Sequence, residues 1–259
     1  MKLSLFRRAV PALFMLLAAI SAAPRCRAQA EGNGPTALIV SYRARPALRA
    51  RLRAVMAGEG TAQFERWKQE GVFASYTALF TAYAAADAPD MFVILRFPHF
   101  TDLGRWQAIE KTHPGGMPED AQSLGFAEDA ATADIVEEKS VAPSSKDSQF
   151  LVLEYDVLAE MPKYVSYVHG YVAPQFEHWA KAGALSSYSC FVNQNPAGAP
   201  WSSFIVLEYK DLDALASREI VKNKARAELA TSDPVWKRWS EDKTAIRKEK
   251  AGISALSLH

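Results

Sequence analysis

"GEGTAQFERWKQEGVFASY" (Gly58–Tyr76) and "GYVAPQFEHWAKAGALSSY" (Gly170–Tyr188) lie 112 residues apart and agree at eight of nineteen positions in register. Average composition would give roughly one identity by chance. The correspondence runs outward in both directions. At the same spacing "MFVILRF" (Met91–Phe97) faces "SFIVLEY" (Ser203–Tyr209), and with a shift of one residue "LIVSYR" (Leu38–Arg43) faces "LVLEYD" (Leu151–Asp156). The chain is therefore a tandem repeat, and the unit has to be read before the whole.

Each unit begins with an apolar strand of about six residues. Pro46 and Pro162 then open a helical stretch, because a proline fits the first turn of a helix. Gly58 and Gly60 interrupt it in the first unit and Pro174 in the second. Thr61 as N-cap and Pro174 as first helical residue mark the expected restarts. Phe64 and Trp67, like Phe176 and Trp179, fall three apart on one helix face, and Gly71 and Gly183 end the helices. Strands over 73–82 and 185–192, the apolar strands already matched, a second helical region and a closing strand ("DIVEEKSV", "ISALSL") complete each unit. The polar segment "VAPSSKDS" (Val141–Ser148) links them.

The order β-α-β-β-α-β is the ferredoxin-like split motif, which covers only one sheet face with helices. The two inner strands of each unit are almost wholly apolar, so both faces of the sheet are buried. The economical solution packs the two sheets of one chain on each other. The expected fold is α+β, with ferredoxin-like repeats over residues 36–141 and 148–259 forming an intramolecular barrel.

Bulk properties bound the function. Residues 1–30 carry Lys2, Arg7 and Arg8, then an apolar run from Ala9 to Ala23 and a final Ala28-Gln29-Ala30. That run is too short for a membrane span and is followed by a small-x-small site, the pattern of a secretory leader cleaved after Ala30. The Arg7-Arg8 pair admits the twin-arginine route, and the expected location is periplasmic or secreted, with no membrane span after cleavage. Such cleavage removes five basic residues and no acidic one from the chain's 30 and 29, leaving 25 against 29 and a net charge of −4. A nucleic-acid partner is disfavoured, because no basic excess remains for phosphates. Cys190 alone would stay, so stability rests on a core rather than a disulfide.

The repeat pattern resembles the dimeric α+β barrel superfamily, here fused in tandem. The second half also resembles the NIPSNAP family, in Glu208-Tyr209 at a strand end, Arg218-Glu219 in a helix and the Asp233-Pro234-Val235-Trp236 turn. The first half has "HPGGMPEDAQSLGF" (His113–Phe126) instead. The superfamily includes cofactor-independent monooxygenases, small-ring isomerases and haem enzymes, and none of their site patterns transfers residue by residue.

Several residues are candidates for chemistry. Glu154 and Glu208 repeat the "VLEY" context on the two central strands, with the same strand parity, and are expected side by side. Neighbouring carboxylates in an apolar sheet separate into acid and base. Ser41 and Arg96 hold the matching positions, so Arg96 faces the glutamates as a third catalytic candidate or neutralises them in an ion cluster. Tyr76 and Tyr188 need partners for their hydroxyls and could point into a ligand pocket. His178 replaces Arg66 beside the shared tryptophan, and Trp236 lines the same pocket or clamps an added helix. No histidine pair has metal-ligand spacing, so no metal site is expected. Haem on His169 or His178 is the one cofactor these residues leave open. "HPGG" lacks the context of a phosphate loop and reads as a mobile lid.

The leading expectation is an exported barrel that binds a small apolar or aromatic molecule. The alternatives are a cofactor-independent monooxygenase or isomerase, or a haem-binding enzyme, and a non-catalytic scaffold.

Overall fold

The computed structural model describes residues 33–258. The expected leader, residues 1–30, and the terminal His259 lie outside the described residues. The first repeat runs β1 (Thr36–Ala44), α1 (Arg49–Val55), a π turn (Met56–Gly60), α2 (Thr61–Gln69), β2 (Ser75–Thr81), β3 (Met91–Phe97), α3 (Leu103–Glu110), a short α4 (Glu119–Gln122) and β4 (Gly125–Ser140). The second runs β5 (Gln149–Val157), α5 (Met161–Tyr167), a π turn (Val168–Val172), α6 (Ala173–Lys181), β6 (Leu185–Asn193), β7 (Ser203–Tyr209), α7 (Leu212–Ala216), α8 (Arg218–Ser232), α9 (Pro234–Ile246) and β8 (Arg247–Ser257).

Each repeat makes an antiparallel sheet, β4-β1-β3-β2 and β8-β5-β7-β6, and the pairs β2–β8 and β4–β6 join the sheets into one closed barrel. Closure removes every sheet edge. The barrel is filled rather than hollow, with Ile39, Phe92, Ile94, Phe150, Val152, Phe191, Phe204 and Val206 buried inside it. Phe92 and Phe204, equivalent in the two repeats, meet with ring centroids 5.4 Å apart. Each such phenylalanine contributes about 1.5–3 kcal/mol by burial. Two further cores lie between each sheet and its own helices, one around Phe64, Trp67 and Trp106, the other around Tyr164, Tyr167, Phe176 and Trp236.

The helix is not interrupted where the glycines and Pro174 suggested. In both repeats it continues through a π turn at equivalent positions, 56–60 and 168–172. Thr61 is not a cap: it is helical, and its hydroxyl donates back to the carbonyls of Ala57 (2.6 Å) and Gly58 (3.1 Å). The widened turn gives Pro174, which has no N–H to offer, a place within the helix. Gly71 and Gly183 do end the helices, both at φ 75°.

The closing strands reach further than their apolar cores. β4 begins at Gly125 and β8 at Arg247, and each carries a bulge: the register slips between Ser41 and Tyr42 on one pair and between Glu154 and Tyr155 on the other. Glu128 and Lys250 are the residues passed over. In β8 the bulge reverses the alternation: Ala251, Ile253 and Ala255 face the barrel interior. Glu249 and Arg247, paired with Tyr155 and Val157, face the helices instead.

The "HPGG" segment is a plug, not a lid. Gly115 and Gly116 are buried with φ of 62° and 68°, and the Tyr42 hydroxyl donates to the Gly115 carbonyl. A Cβ on Gly116 would stand 2.5 Å from Trp106, so only glycine fits between that ring and Phe64.

Candidate functional site

A cavity of about 220 Å³ opens between the sheet and the helices of the second repeat, lined by Tyr155 of β5, Tyr167 and Tyr171 of α5 and its π turn, Arg226 of α8, Lys243 and Thr244 of α9, and Arg247 and Glu249 of β8. The tyrosines share a face because Tyr164, Tyr167 and Tyr171 are spaced three and four apart on one helix. Trp236 packs behind them, stacked on Tyr171 at 4.8 Å and donating its indole N–H to the Tyr171 carbonyl (3.0 Å). Gly170 leaves room for Trp239, whose Nε1 would lie 2.6 Å from a Cβ there.

Arg247 is the centre of the site. Its guanidinium lies 3.9 Å over the Tyr155 ring and 5.3 Å from the Tyr167 centroid. An arginine keeps its charge at any ordinary pH, and a cation over an aromatic face is attracted by the ring quadrupole. Its Nη1 and the hydroxyls of the fully buried Tyr167 and Tyr171 have no hydrogen-bond partner among the described residues. Burial pushes the Tyr155 hydroxyl up to about 12, against the pull of Arg247. Burial likewise raises Tyr164 and Tyr167, again opposed by Arg247. All three are neutral donors at pH 7. Tyr164 donates to Ser203 Oγ (2.7 Å), and the Tyr155 hydroxyl reaches Glu249 Oε2 at 3.4 Å. One face thus gathers a carboxylate, a fixed cation and donors that lack acceptors.

The first repeat has no equivalent site. Where the second carries Tyr164, Tyr167 and Tyr171, the first has Leu52, Val55 and Glu59. Arg247 corresponds to Gly125, and Glu249 to Ala127. The Gly115–Gly116 plug covers Tyr42, the counterpart of Tyr155.

The residues expected from the sequence fall elsewhere. Glu154 and Glu208 share strand parity but are not neighbours: Glu154 pairs with Phe204 and Glu208 with Phe150. Because the strands are antiparallel, the matching motifs end at opposite ends, about 13 Å apart at 3.3 Å per residue. Glu208 is buried and accepts from the hydroxyls of Ser148 (2.8 Å) and Ser187 (2.6 Å). Glu154 is pushed up to about 7 by burial, with Lys250 opposing and Asp129 and Glu128 adding to the shift. Arg96 does not face these glutamates as a pair. It donates to Glu138 (2.7 Å) and Thr77 (2.9 Å) and reaches Ser189 (3.4 Å).

Tyr76 is half-buried and donates to the Thr61 carbonyl (3.3 Å). Tyr188 is buried against Phe176. His178 is half-buried on α6, with Nδ1 2.9 Å from the Pro174 carbonyl. None of these three lines the Arg247 cavity, and Trp236 stands behind its tyrosine wall. The residues that do line it went unnoticed in the sequence, although the Tyr164-Tyr167-Tyr171 spacing against Leu52-Val55-Glu59 was a visible difference between the copies.

Haem does not fit. His169 is exposed and pairs with Glu137 (3.2 Å), and neither it nor His178 borders the cavity. The volume is also below the roughly 300–1,000 Å³ of ordinary ligand pockets. Among the described residues no cluster could hold a metal ion, and no helix is long and apolar enough to cross a membrane.

No family model and no curated protein matches the chain. Solved structures do. A candidate monooxygenase of Fusobacterium nucleatum subsp. nucleatum ATCC 25586 is 13% identical, with 87% of this chain and 93% of that one covered and a TM-score of 0.54. A candidate monooxygenase of Lactobacillus acidophilus NCFM is 10% identical, with 87% and 95% covered and a TM-score of 0.56. An anthrone oxidase-like protein is 10% identical, with 88% and 92% covered and a TM-score of 0.53. At these identities the likeness is one of fold. It agrees with the tandem dimeric α+β barrel traced from the strands.

Proposed function

We propose that the chain is an exported, cofactor-independent oxygenase of small phenols, working in the second repeat's cavity. The observation that carries this reading is the placement of Glu249 and Arg247 on one strand face in a cavity walled by Tyr155, Tyr167 and Tyr171. Glu249 takes the phenolic proton, and the Arg247 guanidinium holds the oxyanion. The phenolate is electron-rich at its para carbon, which forms the C–O bond to dioxygen. Breaking the O–O bond then releases water and leaves the quinone. Phenol and dioxygen balance quinone and water, so no outside reductant is needed. The candidate monooxygenases and the anthrone oxidase-like protein of the same fold favour the oxygenase reading over a binding role without turnover. Export rests on the leader-like residues 1–30, and the NIPSNAP resemblance of the second half supplies no catalytic residue.

The test is oxygen uptake by purified protein on single-ring phenols with a free para position, with quinone followed by absorbance. One dioxygen consumed per quinone is expected, and Glu249→Gln should lower kcat by about a hundredfold while ligand still binds. No uptake on any such phenol, or uptake indifferent to Glu249→Gln, would overturn the proposal.

Glu154 supports a second reading, proton transfer at the barrel mouth, because its carboxyl is held at about 7 beside Asp129. A limb near pH 7 in the rate profile that vanishes in Glu154→Gln would favour it over Glu249.

A further inference from the structure

We infer that the cavity is built for a phenolic acid, a single aromatic ring bearing a hydroxyl and a separate carboxylate, at one site per chain. This rests on the reading of the cavity as the substrate site. Three basic side chains border it, Arg226, Lys243 and Arg247, against one acid, Glu249. The basic groups divide into two places. Arg247 sits deep in the site, over the Tyr155 ring, where the phenolic oxygen is handled. Arg226 and Lys243 come from the covering helices α8 and α9, with Arg226 oriented by its Nε–H donating to Gln175 (2.9 Å). A neutral phenol would leave the cavity with three cations against the single carboxylate of Glu249. A carboxylate on the ring answers Arg226 and Lys243.

A cavity of about 150 Å³ holds benzene, so about 220 Å³ has room for one substituted ring.

The first repeat explains the single site. There the chain's own Gly115 carbonyl serves as the acceptor for Tyr42, and Gly116 and Met117 fill the space beneath the helices. The equivalent opening is occupied from within, and Gly125 stands where Arg247 would be. A Cβ on Gly125 would come 2.6 Å from the Arg43 carbonyl oxygen, so no side chain can restore the cation there.

Titration calorimetry with 3-hydroxybenzoate and its neutral isostere 3-hydroxybenzyl alcohol tests the inference on the full chain. The acid should bind about tenfold or more tightly than the alcohol, at one site per chain. Arg226→Met and Lys243→Met should together erase that preference, with Lys243→Met alone, which leaves the Arg226–Gln175 hydrogen bond in place, already reducing it. Equal binding of acid and alcohol, or a preference that survives both substitutions, overturns the ligand class while the cavity reading stands. Two sites per chain overturns the plugged first repeat. Binding of neither compound brings down the cavity reading as well.

Discussion

Arg247 and Gly125 occupy the same place in the two repeats: each begins the closing strand of its sheet, Arg247 paired with Val157 and Gly125 with Ala44. The chain has kept the scaffold twice and the cation once. A methyl group at Gly125 would meet the Arg43 carbonyl oxygen at 2.6 Å and Leu52 Cδ2 at 2.9 Å. Gly125→Ala should cost about 1–3 kcal/mol, read as a lower midpoint in urea unfolding. Full stability in that variant would mean that the two repeats are not as constrained here as the contact implies.

Gly170 lets the Trp239 indole pack against the second π turn. Gly170→Ala should destabilise by about 1–2 kcal/mol, and adding Trp239→Leu should return part of that loss, since the two changes touch one contact. Strict additivity in the double-mutant cycle would refute the coupling.

Glu154 makes stability depend on pH. Its folded pKa is raised from 4.5 to about 7. Below about pH 4.5 both folded and unfolded chains carry the proton and the group contributes nothing. Between 4.5 and 7 only the unfolded chain ionises, so stability falls, and above 7 the penalty is constant at no more than about 3 kcal/mol. Glu154→Gln, which cannot ionise, should match the parent at pH 4 and exceed it at pH 8, as measured by denaturant titration at both values.

Arg96 of β3 pairs with Glu138 of its own sheet and reaches across to Ser189 on β6 of the other, whose hydroxyl also donates to Glu138 (2.7 Å). Arg96→Met should cost about 1–3 kcal/mol by leaving those acceptors short of a donor, and Arg96→Met with Glu138→Gln should cost less than the sum of the singles. Thermal unfolding of the four proteins of the cycle checks this.

The repeat, its strand order and the barrel were legible because the apolar strands and the Gln-Phe-Glu helix recur at one spacing. The helix stops at Gly71 and Gly183 were legible for a local reason, a left-handed residue that glycine supplies. Helix continuity was not. Gly58, Gly60 and Pro174 look like breaks, yet packing against the sheet holds the chain in a π turn at each place. The glutamates misled for a topological reason: a motif repeated on two antiparallel neighbours puts its ends apart, however alike the residues.

By itself the sequence determined the α+β class, the duplication and the burial of both sheet faces, because these follow from period and composition along the chain. The site belongs to the tertiary structure. Residues 247, 249, 251, 253 and 255 alternate evenly in the sequence and would share one face of an unbroken strand. The bulge at Lys250 turns the last three into the barrel and the first two toward the helices, and that register is set by pairing with β5, a strand roughly a hundred residues earlier.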